Sequence, residues 1–248
     1  MVVFNKKKIE IIISCVIIAL FVFSIQISNK KNTKEENSIS EERNYIQTTA
    51  TPASGKTIVL DAGHGVPDEG AESSNGTTEA QTNLKIALKV QNLLEQSGCN
   101  VILTRSDENA IYDLDANTLK QKKISDIRNR VKIGNEASAD IFVSIHLNKI
   151  PQSQYYGWQC FYKTNDEQSI KLAKQLQENL NKSIQKENKR VAMKLDTVYI
   201  MKHVEIPISI VECGFLSNPE EEQQLLDDTY QNKLAWGIYN GIQEYFYE

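Results

Sequence analysis

The chain has 248 residues, 40% of them apolar, with 28 basic and 32 acidic side chains and a net charge of −4. That composition fits one globular domain with additional segments and excludes a disordered, collagen-like or polytopic membrane protein. The acidic balance leaves no basic surface for phosphate neutralisation, so no nucleic-acid partner is expected. Four Cys at irregular spacing make no disulfide framework.

Lys6, Lys7 and Lys8 precede Ile9 to Ile27, an apolar run whose only charge is Glu10. A positive start followed by such a run reads as an export signal, and its length approaches the ~20 residues that span a bilayer. No convincing small-residue cleavage site follows. Residues 1–28 are therefore read as a signal peptide or transmembrane anchor, with a retained single-pass anchor favoured. Residues 29–56 are rich in Asn, Lys, Glu, Ser and Thr and bury too little to offset ordering entropy, so they read as a flexible linker. Without residues 1–31 the balance becomes 23 basic against 31 acidic, a net −8, and an odd three Cys remain (Cys99, Cys160, Cys213).

Residues 57–248 are read as one domain. Thr57–Asp61 is a short apolar strand ending in a turn-rich stretch. Thr78-Glu79-Ala80-Gln81 has the spacing of a capping box, and Leu84, Ala87, Leu88 and Leu94 continue with helical period until Gly98 stops the helix. A strand at Val101–Thr104 leads into a long polar link, Ser106 to Ser125, with room to border a substrate groove. A helix is predicted over Ile124–Ala137 and a β-branched strand over Asp140–His146. Beyond these, Gly157–Tyr162, Val198–Met201 and Ile206–Glu212 read as strands, and Glu167–Ile184, Pro219–Leu226 and Tyr230–Tyr245 as helices. Strands alternating with helices predict an α/β fold, a single domain with a mostly parallel twisted sheet flanked by helices.

The chain has only three His, so their positions carry information. His64 follows the first strand in Asp61-Ala62-Gly63-His64-Gly65. His146 ends a strand in Ser144-Ile145-His146-Leu147-Asn148, on the face of Phe142 and Ser144. Glu79 opens the first long helix, and Glu212 closes the last strand on the face of Ile206, Ile208 and Ile210. Carboxyl ends of parallel strands gather at one edge, where ligands bind. Two imidazoles and a carboxylate form a catalytic zinc set with one open position, and a further carboxylate nearby can carry the proton of an attacking water.

Each residue taken alone has a plainer reading. His64 is a turn residue, His146 a satisfied core histidine, and Glu79 a carboxylate favouring a helix dipole. Glu212 is the exception, because an unpaired carboxylate on a buried strand is costly and needs a partner. His203 is read as solvent-facing or a substrate contact, outside the metal set.

The motifs at 61–65 and 144–148, Glu79, and Glu-Cys-Gly-Phe-Leu-Ser-Asn at 212–218 together resemble the zinc-dependent N-acetylmuramoyl-L-alanine amidases of the amidase-3 type. Thr104-Arg105 and Asn83 extend the match without an assigned role. The resemblance implies that His64, Glu79 and His146 bind one Zn2+ and that Glu212 is the catalytic carboxylate. The implied reaction cleaves the amide between N-acetylmuramic acid and L-alanine in peptidoglycan. A membrane segment, a tether and a bare catalytic domain resemble the germination-specific subgroup acting on spore cortex. There, stem removal prepares muramic-δ-lactam together with a muramic acid deacetylase. Export beyond the cytoplasmic membrane and an exported regulatory protein partner are further expectations. Two rivals are a zinc peptidase of the stem peptide and a catalytically silent wall-binding module. Cys213 is expected to face away from Glu212 and to serve packing.

Overall fold

The computed structural model describes residues 50–247; the expected N-terminal membrane segment lies outside them. Among the described residues no helix is long and apolar enough to cross a membrane. Residues 51–56, read from sequence as the end of the linker, are docked on the domain. Ala53 is buried and its N–H donates to Gln243 Oε1 at 3.0 Å, while the Thr51 hydroxyl donates to the Ser97 carbonyl.

Six strands, β1 (Thr57–Ala62), β2 (Asn100–Leu103), β3 (Ile141–Asn148), β4 (Gln159–Tyr162), β5 (Met193–Lys194) and β6 (Ile208–Phe215), form one sheet in the order β2-β1-β3-β6-β4-β5. The first four in that order run parallel, but β4 is antiparallel to β6 and carries β5 parallel to itself. Among the described residues four of the five pairings are parallel, as a mostly parallel sheet requires, and the antiparallel β4–β6 pairing makes the sheet mixed. The cause is the connection: residues 149–158 contain no helix, and a parallel return needs a long, usually helical, crossover. The chain thus re-enters the sheet from the edge at which β3 ended.

Among the described residues six helices cover the faces: α1 (Glu79–Gln96), α2 (Leu119–Glu136), α3 (Glu167–Ile184), α4 (Tyr199–His203), α5 (Pro219–Leu226) and α6 (Asp228–Tyr247). On one face Ile58, Leu60, Ile141, Val143 and Ile145 pack beneath α1, α3 and α6, with Leu84, Leu172, Leu176, Leu234 and Ile238 among the contacts. On the other, Val59, Phe142, Ile208 and Ile210 meet Val131 of α2 and Ile200 and Met201 of α4. The first seven residues of β3 except His146 are buried, as expected of a strand covered on both faces.

Three local expectations need correction. Val198–Met201 is not a strand; the segment forms α4, because a helical turn buries Ile200, Met201 and Val204 together, which alternation along a strand would not. The second helix starts at Leu119, since Thr118 and Gln121 make a reciprocal capping box. Thr78 at the start of α1 makes no such box, and its hydroxyl is buried without a partner. Carbonyls of the preceding loop take over there: Glu79 N–H donates to Ala71 and Ala80 N–H to Glu69. Thr78→Val is accordingly expected to be neutral or to stabilise by up to about 1 kcal/mol, because it removes an unsatisfied hydroxyl and keeps the shape. A denaturant melt showing a loss above about 1 kcal/mol would mean that the hydroxyl has a partner.

Gly98 does stop α1, in a left-handed conformation (φ 85°). Cys99, Cys160 and Cys213 are buried and all three are free thiols. Cys213 lies in the cluster beneath α1, α3 and α6, on the face opposite Glu212, as the sequence implied.

Candidate metal centre

The site lies at the edge where β1, β3 and β6 end, on the α2 side of the sheet. Its foundation is Asp61, buried on β1. Asp61 accepts hydrogen bonds from the Thr104 hydroxyl (2.7 Å), the Ser144 hydroxyl (2.5 Å) and the Arg130 guanidinium (2.6 Å). Burial works against its charge, but Arg130 leads the groups that hold its carboxyl down at about 2. Arg130 also binds Asp126, four residues earlier on α2, through Nε at 2.7 Å.

The chain then turns through Ala62-Gly63-His64, and two buried arginines hold the turn by its carbonyls. Arg130 donates to Ala62 (2.7 Å) and His64 (2.6 Å); Arg105 donates to Ala62 (2.8 Å) and Gly63 (3.1 Å), and to Ala80 of α1. Asn83 adds a hydrogen bond to the Gly63 carbonyl at 3.2 Å. His64 is held in the left-handed region (φ 64°), where few side chains sit without such support. Gly63 is required by proximity, since a Cβ there would lie 2.3 Å from the His146 ring.

Three of the side chains singled out by sequence meet here. His64, Glu79 and His146 each present a ligand atom, all within 4.8 Å of one another. Glu79, at the first turn of α1, is aimed by the Ala71 N–H (2.9 Å) and the Leu147 N–H (3.1 Å). It lies 3.0 Å from His146 Nδ1 and 3.4 Å from His64 Nε2. Burial disfavours its charge, yet the two imidazoles hold Glu79 well below the usual carboxylate range. Burial likewise opposes charge on His64, but Asp68 and Glu79 outweigh it and raise the imidazole to about 9. Two basic rings converging on one sunken carboxylate attract cations, protons included.

Glu212 is the fourth. It does not close β6, which continues to Phe215, but stands opposite His146 across the β3–β6 pair. Paired residues on neighbouring strands leave the sheet on the same face, so the carboxylate and the imidazole share the site. Glu212 Oε2 is buried and has no hydrogen-bond partner among the described residues. Burial pushes its carboxyl up to about 7; His146 and His64 oppose that rise and Glu79 adds to it.

His203 lies elsewhere. It is exposed at the far end of α4, stacked on Tyr199 at 3.8 Å between centroids. Its carbonyl binds Asn135 near the C-terminus of α2, whereas the site meets α2 at Asp126 and Arg130. It faces solvent. The 106–125 link does border the site: Val66 bridges Asn109, and Ile111 and Asp113 bind Asp126, Ser125 and Asn129 of α2.

The sequence reading missed Asp61, Asp68, Asp126 and Arg130. Asp68, 3.5 Å from His64 Nδ1 and 2.7 Å from Lys123, follows His64 by four residues in the same loop. Arg130 had a readable signal, since Asp126 precedes it by one helical turn and Ile127 shares its face.

The chain matches the N-acetylmuramoyl-L-alanine amidase family, Amidase_3, over residues 58–244. It is 35% identical over 232 residues to the germination-specific N-acetylmuramoyl-L-alanine amidase of Bacillus subtilis, covering 94% of this chain and 92% of that one. Its fold is similar to that of the CwlD amidase from Clostridioides difficile, whose structure was solved in complex with the GerS lipoprotein. There the TM-score is 0.75 and the identity 46%, over 77% of this chain and 98% of that one. The catalytic domain of CwlV from Bacillus (Paenibacillus) polymyxa is 31% identical with a TM-score of 0.66, over 77% and 97% of the two chains. On this match and the geometry beneath it, the chain belongs to the N-acetylmuramoyl-L-alanine amidase family and is an enzyme that hydrolyses the amide between N-acetylmuramic acid and L-alanine in peptidoglycan.

Proposed function

We propose that His64, Glu79 and His146 hold one Zn2+ and that Glu212 is the proton carrier of the hydrolysis, in an exported enzyme that acts on spore-cortex peptidoglycan. One observation carries the reading. Three ligand atoms lie within 4.8 Å beside a carboxylate whose buried oxygen has no partner. Unsatisfied buried acceptors are rare and ask for an explanation, and a water or substrate proton at this position supplies one. The donor set of two imidazoles and a carboxylate fits zinc with a position left open.

Bound zinc supplies Lewis acidity, polarising the scissile carbonyl and acidifying a water. The remaining chemistry falls to the chain. Glu212 accepts a proton from the attacking water and returns it to the alanine nitrogen as the C–N bond breaks. In the metal-free protein burial raises its carboxyl to about 7, and a cation held by the neighbouring ligands would favour the ionised form that accepts the proton. Asp61, Arg105 and Arg130 fix the turn that carries His64, and the Ala71 and Leu147 N–H groups fix Glu79. Incubation with purified peptidoglycan should release stems with a free L-alanine N-terminus, identified by mass spectrometry. Fragments cut within the stem would favour a peptidase, and binding without products a silent wall module. Neither rival is favoured, because the family match names the muramoyl amide and the catalytic set is intact.

Asp68 supports the ligand His64, and outer partners of this kind typically contribute 10–100-fold in metal affinity. Asp68→Asn is expected to weaken zinc binding by about that factor in competition with a chromophoric chelator. Because His64 carries a proton below about pH 9 in the metal-free protein, zinc affinity should also fall as pH is lowered. Unchanged affinity in the variant would leave Asp68 outside the site.

The germination-specific relative supports the spore-cortex assignment, and on that reading a muramic acid deacetylase would act on the product. Residues 1–28 would provide the export signal or membrane anchor and 29–50 the linker to the catalytic domain, on which residues 51–56 are docked. The lipoprotein found with CwlD supports a regulatory protein partner outside the membrane for this chain as well.

A further inference from the structure

An open cleft of about 360 Å³ is lined by Gln154, Tyr155, Tyr156, Asn188, Lys189 and Arg190. Its position follows from the sheet. β4 runs antiparallel to β6, so its first residue, Gln159, pairs with Glu212, and the segment before β4 lies at the catalytic edge. β5 runs parallel to β4, so the segment before β5, containing Arg190, lies at that edge too.

A bulge in β6 completes the arrangement. His146 pairs with Glu212 and Asn148 with Phe215, two steps on β3 against three on β6. The extra residue returns Phe215 to the face of Glu212. The Arg190 guanidinium lies over the Phe215 ring at 4.6 Å, with Nη1 on Gln159 Oε1 (3.1 Å) and Nε on the Tyr156 carbonyl (3.1 Å). Gln159 itself is fixed by its amide donating to the Val191 carbonyl at 3.0 Å.

Arg190 is thus held on three sides, one residue pair away from Glu212. Among the described residues it has no carboxylate within 4.0 Å, unlike Arg130, and its Nη2 makes no hydrogen bond. Lys186 adds positive charge, lying 4.7 Å over the Tyr156 ring. A fixed, half-buried guanidinium with donors to spare is suited to a carboxylate. Arg190 and Lys186 both bear on buried Glu221, whose two oxygens are already taken by the Gly157 and Phe215 N–H groups. The leaving group of the reaction is a peptide, which carries a carboxylate at its C-terminus and at any acidic residue.

We infer that this cleft is the subsite for the stem peptide and that Arg190 binds one of its carboxylates, determining a preference for anionic stems. The inference rests on the amidase reading and names the substrate group that Arg190 would take. The test is steady-state hydrolysis by the full chain loaded with zinc. Two muramyl peptides are compared, one with free carboxylates and one with every carboxylate amidated.

The wild type should favour the free acid by ~10-fold in kcat/KM, as expected for one charge-assisted hydrogen-bonded contact, with the difference in KM. Arg190→Gln should raise KM for the free acid to that of the amide and leave kcat unchanged, and Arg190→Lys should retain part of the preference. Inhibition by the released acidic peptide should weaken in Arg190→Gln, while inhibition by its amide should not change. Equal losses on both substrates, or no preference in the wild type, would overturn the subsite and leave Arg190 as a structural wall for Phe215. Hydrolysis of neither substrate by the wild type would instead overturn the amidase reading, and the subsite with it.

Discussion

Glu212→Gln is expected to lower amide hydrolysis by about 10²–10⁴-fold, the usual contribution of a positioned general acid–base group. The amide side chain is nearly isosteric but cannot take the proton of a water or give one back to the alanine nitrogen. Zinc content should be unchanged, because His64, Glu79 and His146 remain in place. The variant should also be more stable than the wild type when both are metal-free. The Glu212 pKa is raised from 4.5 to about 7 in the folded protein, so folding holds its proton more tightly than the unfolded chain does. Stability is therefore lost as pH rises between those values, and above about pH 7 the ionised carboxylate costs up to about 3 kcal/mol. Gln removes that cost, so the stability gain should be present at pH 8 and shrink toward pH 5. Activity assays and melts at both pH values check the two halves together. A variant that is slow but not stabilised at pH 8 would mean that the carboxylate has a partner in the folded state; one that turns over normally is not the proton carrier's mutant.

Arg130→Ala is expected to destabilise the domain by roughly 3–5 kcal/mol, the range for breaking one side of a buried ion pair. Truncation leaves Asp61 charged in the interior with only the Thr104 and Ser144 hydroxyls, and it strips the Ala62 and His64 carbonyls of a donor. For a domain of this size the melting temperature should fall by roughly 10 °C. Adding Asp61→Asn should recover part of the loss, because the orphaned charge is the main penalty. A shift of only one or two degrees in Arg130→Ala, or no recovery in the double variant, would show that the pair does not carry the turn. The consequence for function is direct. The same guanidinium that neutralises Asp61 holds His64 in its left-handed conformation, so stability and ligand placement depend on one side chain.

How much of this was legible without coordinates depended on the range of the forces involved. α3 and α5 begin and end where the sequence reading put them, because helical period is a local signal and the structure caps both starts locally, at Asp166 and Asn218. The two imidazoles, Glu79 and Glu212 were readable because each is chemically conspicuous: three His in the whole chain, and a carboxylate where alternation asks for an apolar residue. The failures were of a different kind. Val198–Met201 is ambiguous over four residues, and only packing against α2 decided for a helical turn. Thr78 has the spacing of a cap, but the loop carbonyls of Glu69 and Ala71 had already taken the first helical N–H groups.

The amino-acid sequence alone determined the alternating α/β pattern, the four chemically conspicuous site residues and the chemistry that they imply, because side-chain type and local period are properties of short stretches. Tertiary structure decided the reversal of β4, the pairing of Glu212 with His146 across two strands, and the arginine scaffold beneath His64. It also decided the bulge that turns Phe215 to the face of Glu212 and the strand directions that put Arg190 at the catalytic edge. Those features depend on contacts between residues tens of positions apart, and on the rule that a charge taken out of water must find its partner wherever the fold has brought one.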